Sequence, residues 1–337
     1  MAKIVVTGGL GFIGSHLVDA YLARGDRVTV IDSEVAAVVD GAEYDEHPRC
    51  TVIRASVEDY FEGGGAVADA DRVVHAAAHV GPAGILRYAG QLGANIVRGT
   101  ECVIRSCLEA DAPLCVFSSA EVYGRSGVLG EDDDIRIPSL YNARIEYAIA
   151  KTLTEAMTVN SLSQGLRAFV IRPFNVAGSR QSQAGGFVMP TFAQQALTGQ
   201  PITVFGTGKQ VRSFTSASDL SRFLTDFWDA ALESDAHVFN IGNPANRSTV
   251  EELAHRMKDL LNSDSEIVHL DGKEVHGPMY EEAESFEKVP ALRAATDLGW
   301  EPRVGLDELI HETASYYRAH EDYRYTREGG QGVYASD

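Results

Sequence analysis

The sequence predicts an α/β fold, a doubly wound parallel sheet with a smaller carboxy-terminal lobe, on three observations. The chain opens on an apolar run, Ile4-Val5-Val6, that breaks into a turn holding Gly8, Gly11 and Gly14 and then enters a helical pattern. A second apolar run, Arg27 to Ile31, ends in Asp32. Beyond it, strand and helix patterns alternate with short links, the arrangement that builds parallel sheets from crossover units.

The glycine turn comes first. Absent side chains at Gly8, Gly11 and Gly14 let the backbone turn tightly against a pyrophosphate, whose charge faces the helix amino terminus at Phe12 and Ile13. Asp32, followed by Ser33, stands where an acid accepts from both hydroxyls of an adenosine ribose and repels a 2′-phosphate. The expected cofactor is therefore NAD rather than NADP, and the expected nucleotide half is of the Rossmann type. A third strand, Cys50 to Ile53, leads to Ser56 and Val57, an adenine edge. A fourth, Arg72 to His75, leads to Ala76, Ala77 and Ala78, small enough for a cofactor to lie against. The helix expected from Gly93 to Glu109 carries Asn95 near its start, and Asn95 is assigned to the cofactor.

The run Cys115-Val116-Phe117 then ends in Ser118 and Ser119, followed by Ala120, Glu121, Val122, Tyr123 and Gly124. The Glu131-Asp-Asp-Asp134 run after it reads as a solvated loop. Tyr147 and Lys151 are four residues apart in a helical pattern, so both project from one face. A hydroxyl, a carboxylate, a phenol and an ammonium suffice for proton and hydride chemistry on a sugar alcohol. The helix runs on to about Gln164, and a buried strand, Leu166 to Ile171, leads through Arg172 to Pro173, the edge of the cofactor site. There the chain leaves the nucleotide half, expected over 1–172. A substrate lobe, partly interleaved with the sheet, is expected over 173–320, with a polar tail over 321–337. The lobe holds a helix after Val188, a strand through Val204 and Phe205, a helix opened by Asp219, a strand from His237 to Ile241, and helices at Thr249–Leu261 and Leu306–Tyr317.

Composition sets the outer limits. The 337 residues are 45% hydrophobic and 23% charged, an ordinary globular balance. A formal charge of −19, with no concentration of Lys and Arg, excludes a nucleic-acid surface, so an anionic ligand must be held by a few local cations and backbone amides. No apolar run reaches the roughly 18 residues of a membrane span. No signal peptide is read at the start, and a cytoplasmic location is expected. Cys50, Cys102, Cys107 and Cys115 lack metal or redox spacing and read as buried thiols. The histidines, His16, His75 and His79 among them, give no ligand pattern, and no metal is assigned. Tyr123, Trp228 and Trp300 read as packing.

In order and spacing, the blocks TGGLGFIG, HAAAHVG, SSAEVYG, YAIAK, RPFNVAG, GFVMPTFAQQALTGQPITVFGTGKQVRSF and LGWEP resemble the extended short-chain dehydrogenase/reductases that act on nucleotide sugars. The resemblance covers nearly the whole chain. It implies that Ser119 and Tyr147 bind the sugar's O4 with Tyr147 as base, and that Lys151 holds the nicotinamide ribose and lowers the phenol. An ordinary phenol ionises near pH 10, so roughly 4 kcal/mol of nearby positive charge is needed at neutrality. It also implies that Asn175, the backbone near Val188, Val204 and Phe205, and Arg212 hold the nucleotide diphosphate or sugar.

Within that family the choice turns on Ala120 and Glu121. Dehydratases usually carry Asp-Glu here, and Ala120 has no proton to give a leaving hydroxyl. Simple 4-epimerases often have Ala followed by a neutral residue. UDP-glucuronate decarboxylases resemble this chain in Glu121, in Arg212 and in the AHVG block, though they usually have Thr-Ser-Glu where this chain has Ser119-Ala120-Glu121. The expected reaction is oxidation at carbon 4, loss of carbon dioxide from the β-keto acid, and reprotonation at carbon 5 through Glu121 or Arg212 and water. A 4-epimerase and a non-catalytic NAD-binding sensor stay open as alternatives. The resemblance further implies a homodimer through a four-helix bundle, with Val103, Ile104, Leu153 and Met157 as outer apolar positions.

Overall fold

The computed structural model describes residues 1–78, 85–137, 142–276 and 287–320. Strands β1 (Lys3–Thr7), β2 (Arg27–Asp32), β3 (Cys50–Arg54), β4 (Arg72–His75), β5 (Leu114–Phe117), β7 (Ala168–Pro173) and β12 (Val238–Ile241) form one sheet, ordered β12-β7-β5-β4-β1-β2-β3. Every neighbouring pair in it is parallel. The winding reverses between β1 and β4, which opens a crevice beyond the carboxyl ends of those strands.

The strands are apolar on both faces because helices cover both. Val6, Cys115 and Ile171 pack with Leu17 and Val18 of α1 (Phe12–Ala23) and with Leu220 and Phe223 of the Ala217–Asp226 helix. Their neighbours Val5, Val116 and Val170 face the other way, against Cys102, Val103 and Cys107 of α3 (Leu92–Ala110). On that side lie also α2 (Val57–Glu62) and α4 (Ala143–Ser161). All four cysteines are free and buried, and Trp228, Trp300 and Tyr123 are fully buried.

A second core joins α5 (Val188–Thr198), α7 (Val250–Leu261) and α8 (Leu306–Ala319) through Phe192, Leu253, Met257, Leu309 and Ile310. The helix between α5 and α7, α6 (Ala217–Asp226), starts two residues before the expected Asp219, because Ser216 caps it. Asp219 is buried and accepts the backbone N–H of Arg303 and Val304. Beside this core a four-stranded sheet runs β13 (Arg247–Thr249), β10 (Val211–Ser213), β15 (Glu287–Pro290), β6 (Gly127–Leu129). Two-stranded pairs join β8 (Val176–Ala177) to β11 (Thr215–Ser216) and β9 (Ile202–Phe205) to β14 (Ile267–Leu270). Strands therefore cross in both directions: β6 leaves the first half for the smaller sheet, and β12 returns to close the large one.

The acidic run is more than a solvated loop. Glu131 accepts the Asn240 N–H at 3.1 Å, Asp133 accepts the Gly130 N–H at 2.8 Å and pairs with Arg125, and Asp132 pairs with Arg293 at 2.7 Å. Among the described residues no helix is long and apolar enough to cross a membrane, and no cluster of His, Cys, Asp and Glu is arranged to hold a metal. His79, the rest of the AHVG block after Ala78, and the polar tail lie outside the described residues.

Candidate active site

The end of β5 and the start of α4 bring the reactive side chains together. Ser118 extends the ladder by donating its N–H to Ile171 O at 2.8 Å. The chain then tightens into a 3₁₀ turn, Ala120–Tyr123, capped by Ser119, whose hydroxyl accepts the Glu121 N–H at 3.2 Å. Asn142 caps α4 by accepting from Ile145 N at 2.9 Å, which fixes the phase that turns Tyr147 and Lys151 inward. The Tyr147 phenol hydrogen-bonds Ser119. Lys151 donates to Phe117 O at 2.7 Å, and its ammonium lies 6.0 Å from the centroid of the Tyr147 ring. Tyr147 is 6% and Lys151 4% exposed.

Burial pushes the Tyr147 phenol above its ordinary range, the Ser119 hydrogen bond opposes this, and the negative charge of Glu121 adds to it. The expected lowering of the phenol by Lys151 is not realised by the protein alone. The ammonium engages the Phe117 carbonyl, and Tyr147 sits among Leu92, Ile96 and Ala150. Burial brings Lys151 itself down to about 8, against the opposing charge of Glu155. His75, below it, bonds Thr7 at 2.8 Å and Thr100 at 3.2 Å; burial first, then Lys151, holds it neutral.

Glu121 has company that sequence reasoning missed. Its Oε1 accepts from Lys288 Nζ at 2.6 Å and lies 3.7 Å from Arg144 Nη1. Burial alone would raise this carboxyl, but Lys288 first, then Arg144 and Arg212, hold it down to about 2. Arg144 was legible in principle, being three residues before Tyr147 and so on the same helix face. Lys288 comes from β15, and its only sequence signal is a lysine in a short strand whose next residues, Val289 and Pro290, are buried.

The crevice presents the elements a dinucleotide needs. Gly8 has φ +73°, and a Cβ there would stand 2.8 Å from Ala77 Cα; a Cβ on Gly14 would stand 2.0 Å from Gly8 O. The turn is thus closed to side chains, and Gly11 at the cap position leaves the amino terminus of α1 with no side-chain cap. Phe12 and Ile13 are half-buried beside it, and Ala76 and Ala78 line the same mouth as Ala77. Asp32 ends β2 with Oδ2 on Leu10 N at 2.9 Å and Oδ1 on Glu34 N at 2.8 Å, each oxygen keeping a further lone pair. Ser33 is exposed after it. Ser56 caps α2 by accepting from Asp59 N at 3.0 Å, Val57 is buried, and Pro173 closes β7 half-buried. Buried Ser118 Oγ has no hydrogen-bond partner among the described residues, an unmet group at the crevice end of β5. These residues fit a bound NAD.

Asn95 is exposed on α3, while Leu92, Ile96 and Thr100 take its buried positions. One expectation changes, on the outer face. Val103 and Ile104 are buried within the fold, so they are not outer positions; Ile149 and Leu153 are, at 36% and 46% exposed. In the lobe, Asn175 (φ 38°) donates to Ser213 O at 3.1 Å, Val188 opens α5, Phe205 ends β9 half-buried, and Val204 is a core side chain that can offer a ligand only its backbone. Arg212 is the register neighbour of Lys288 and donates to Val211 O at 2.8 Å.

The model of the NAD dependent epimerase/dehydratase family matches residues 4–242. The chain is 30% identical to a UDP-N-acetyl-alpha-D-glucosaminuronate decarboxylase of Bacillus cytotoxicus, over 94% of this chain and 98% of that one. It is also 30% identical to UDP-glucuronic acid decarboxylase 1 of Danio rerio, over 94% of this chain and 72% of the relative. Among solved structures it resembles a UDP-glucose 4-epimerase of Thermotoga maritima with UDP-glucose, at TM-score 0.80 and 27% identity, covering 94% of this chain and 99% of that one. With its glycine turn, Asp32 and the paired Tyr147 and Lys151 in place, the chain belongs to the NAD-dependent epimerase/dehydratase family.

Proposed function

We propose that the protein is a UDP-glucuronate decarboxylase, giving UDP-4-ketopentose or UDP-xylose. The observation that carries this reading is Glu121, ionised beside Lys288 and Arg144 two residues after Ser119 and close enough for its charge to act on Tyr147, where an epimerase of neutral sugars needs no charge. The two decarboxylase relatives, matched over 94% of this chain, support it. Ala120 carries no acid, which speaks against dehydration.

NAD, when bound, accepts hydride from carbon 4 and can return it. Tyr147, steered by Ser119, takes the O4 proton. Lys151 holds positive charge beside the phenol, and in a buried pocket the pull of that charge on its neighbours is stronger than in water. The product is a β-keto acid, which loses carbon dioxide with little further help. Within the protein alone the surrounding cations hold Glu121 ionised, so its part is to fix those cations, and the proton that the enolate takes up at carbon 5 is assigned to water held near Arg212. Asn175 and Arg212 are assigned to the nucleotide sugar, with backbone contacts from Val188, Val204 and Phe205.

We further propose a cytoplasmic homodimer. The outer groove between α3 and α4 is lined by Gly93, Ala94, Val97, Ile149, Ala150 and Leu153, with Asn142 and Glu146 at its polar end, and Ile149 and Leu153 are its exposed aliphatic ridges. Two copies meeting there would form a four-helix bundle.

Incubation with NAD and UDP-glucuronate tests the activity. Carbon dioxide and a UDP-pentose are expected; UDP-galacturonate without gas would establish the 4-epimerase instead.

A further inference from the structure

Beside the ribose acid, at the adenosine end of the crevice, stands a guanidinium, Arg54 of β3. Asp32 and Arg54 are register partners in parallel strands, so their side chains leave the same face of the large sheet at its carboxyl edge. An arginine in that neighbourhood is the usual partner of a 2′-phosphate, the group that separates NADP from NAD. Here two carboxylates already engage it. Its Nε donates to Glu34 Oε1 at 3.0 Å, and its Nη2 donates to Asp45 Oδ2 at 2.7 Å.

Backbone geometry aims both carboxylates at Arg54. Glu34 adopts a left-handed conformation (φ 62°) and donates its N–H to Asp32 Oδ1 at 2.8 Å, so the turn that seats the ribose acid also directs Glu34. Asp45 ends the short helix Gly41–Asp45, which Asp40 caps by accepting from Ala42 N at 2.9 Å. That helix can come close because it starts on a glycine: a Cβ on Gly41 would stand 2.9 Å from Arg54 Nη2, 3.1 Å from Glu34 Oε1 and 3.3 Å from Leu10 Cδ1. Leu10 belongs to the glycine turn and donates its N–H to Asp32, so guanidinium, ribose acid and pyrophosphate turn share one neighbourhood. The side chains of Arg54, Glu34 and Asp45 are 41, 41 and 42% exposed, a setting in which ion pairs add little to stability. Their consequence is for the ligand. With Arg54 engaged, a 2′-phosphate meets Asp32, Glu34 and Asp45 against a single guanidinium that is already spoken for. We propose that Glu34 and Asp45 are specificity-determining residues, which select NAD over NADP by occupying the guanidinium that would otherwise meet the 2′-phosphate.

The test is calorimetric titration of the full chain with NAD and with NADP. The double variant Glu34→Gln/Asp45→Asn keeps the shapes of both side chains and removes their charge. It is expected to tighten NADP about 10- to 100-fold, the usual range for a hydrogen bond to a charged group, and to leave NAD nearly unchanged. Adding Arg54→Met to that variant should cancel the gain. A gain that persists without Arg54 would mean that the carboxylates act by repulsion alone and would overturn the proposal, as would an equal gain for both cofactors or no gain at all. Arg54→Met in the wild-type background gives a second reading that leaves both carboxylates in place. It should leave NADP as weak as before, because the guanidinium is already engaged; a marked further loss of NADP would show that Arg54 reaches the phosphate despite its partners, and the proposal fails. Wild-type protein that binds NADP as tightly as NAD sinks the selection by Asp32 as well, whereas a wild-type preference for NAD with an unmoved double variant sinks only the part of Glu34 and Asp45.

Discussion

Tyr147 is placed under opposing demands. In the proposed reaction it loses a proton near neutrality, yet burial and Glu121 hold that proton on. The positive charge that reverses this must come from Lys151 together with the oxidised nicotinamide ring. Tyr147→Phe is expected to reduce kcat about 10²–10⁴-fold with NAD affinity retained; steady-state kinetics beside a cofactor titration checks it, and loss of both together would mean a structural role. Activity should fall as pH rises through about 8, where Lys151 gives up its proton. Most of this residue-level picture was legible, since Ser119, Tyr147 and Lys151 lie within one stretch of chain and the helical period fixes their common face. The buried stripe of α3 through Leu92, Ile96 and Thr100 leaves Asn95 on the exposed side, a phase that the sequence's expected start at Gly93 did not specify. Lys288 was not legible, because the register that brings it to Glu121 is set by β6 and β15 pairing across the chain.

At the scale of elements, α4 is tied down by a buried polar chain. Arg172 of β7 forks onto Glu155 of α4 with contacts of 2.8 and 2.7 Å. Its third nitrogen donates to Tyr123 OH at 3.0 Å, and Tyr123 donates to Asn240 Oδ1 of β12 at 2.7 Å. Asn240 in turn donates to the carbonyls of Leu129 and Ala291, both at 2.9 Å. Both charges of the fork are nearly inaccessible, so removing one partner strands the other. Glu155→Gln is expected to cost about 3–5 kcal/mol, read as a lower urea midpoint at unchanged slope. An unchanged midpoint would show that the fork adds no net stability. Tyr123 was read from sequence as packing alone; its ring does pack on Phe174, but its hydroxyl is a link that only the folded arrangement supplies.

At the scale of the molecule, the strand-helix alternation correctly foretold the large parallel sheet, because period and turn chemistry are local signals. The exchange of β6 and β12 between sheets was not foretold in full, since three residues in Gly127–Leu129 carry no pattern that says which sheet they join. Of the outer positions expected for assembly, Leu153 is exposed while Val103 and Ile104 are buried, and Ile149 is exposed beside Leu153, so the proposed dimer face rests on Ile149 and Leu153. Leu153→Glu, placing a charge at the centre of that face, should convert a dimer to a monomer in light scattering without shifting the urea midpoint of the fold; a wild-type monomer at micromolar concentration would overturn the bundle. The Asn240 link also has a meaning in time. A nascent chain leaving the ribosome can lay down its nucleotide crevice early, but the strut beneath the Tyr147 helix stays unfinished until residue 240 has emerged. The helix that carries Tyr147 thereby gains its last anchor only after most of the chain has been made.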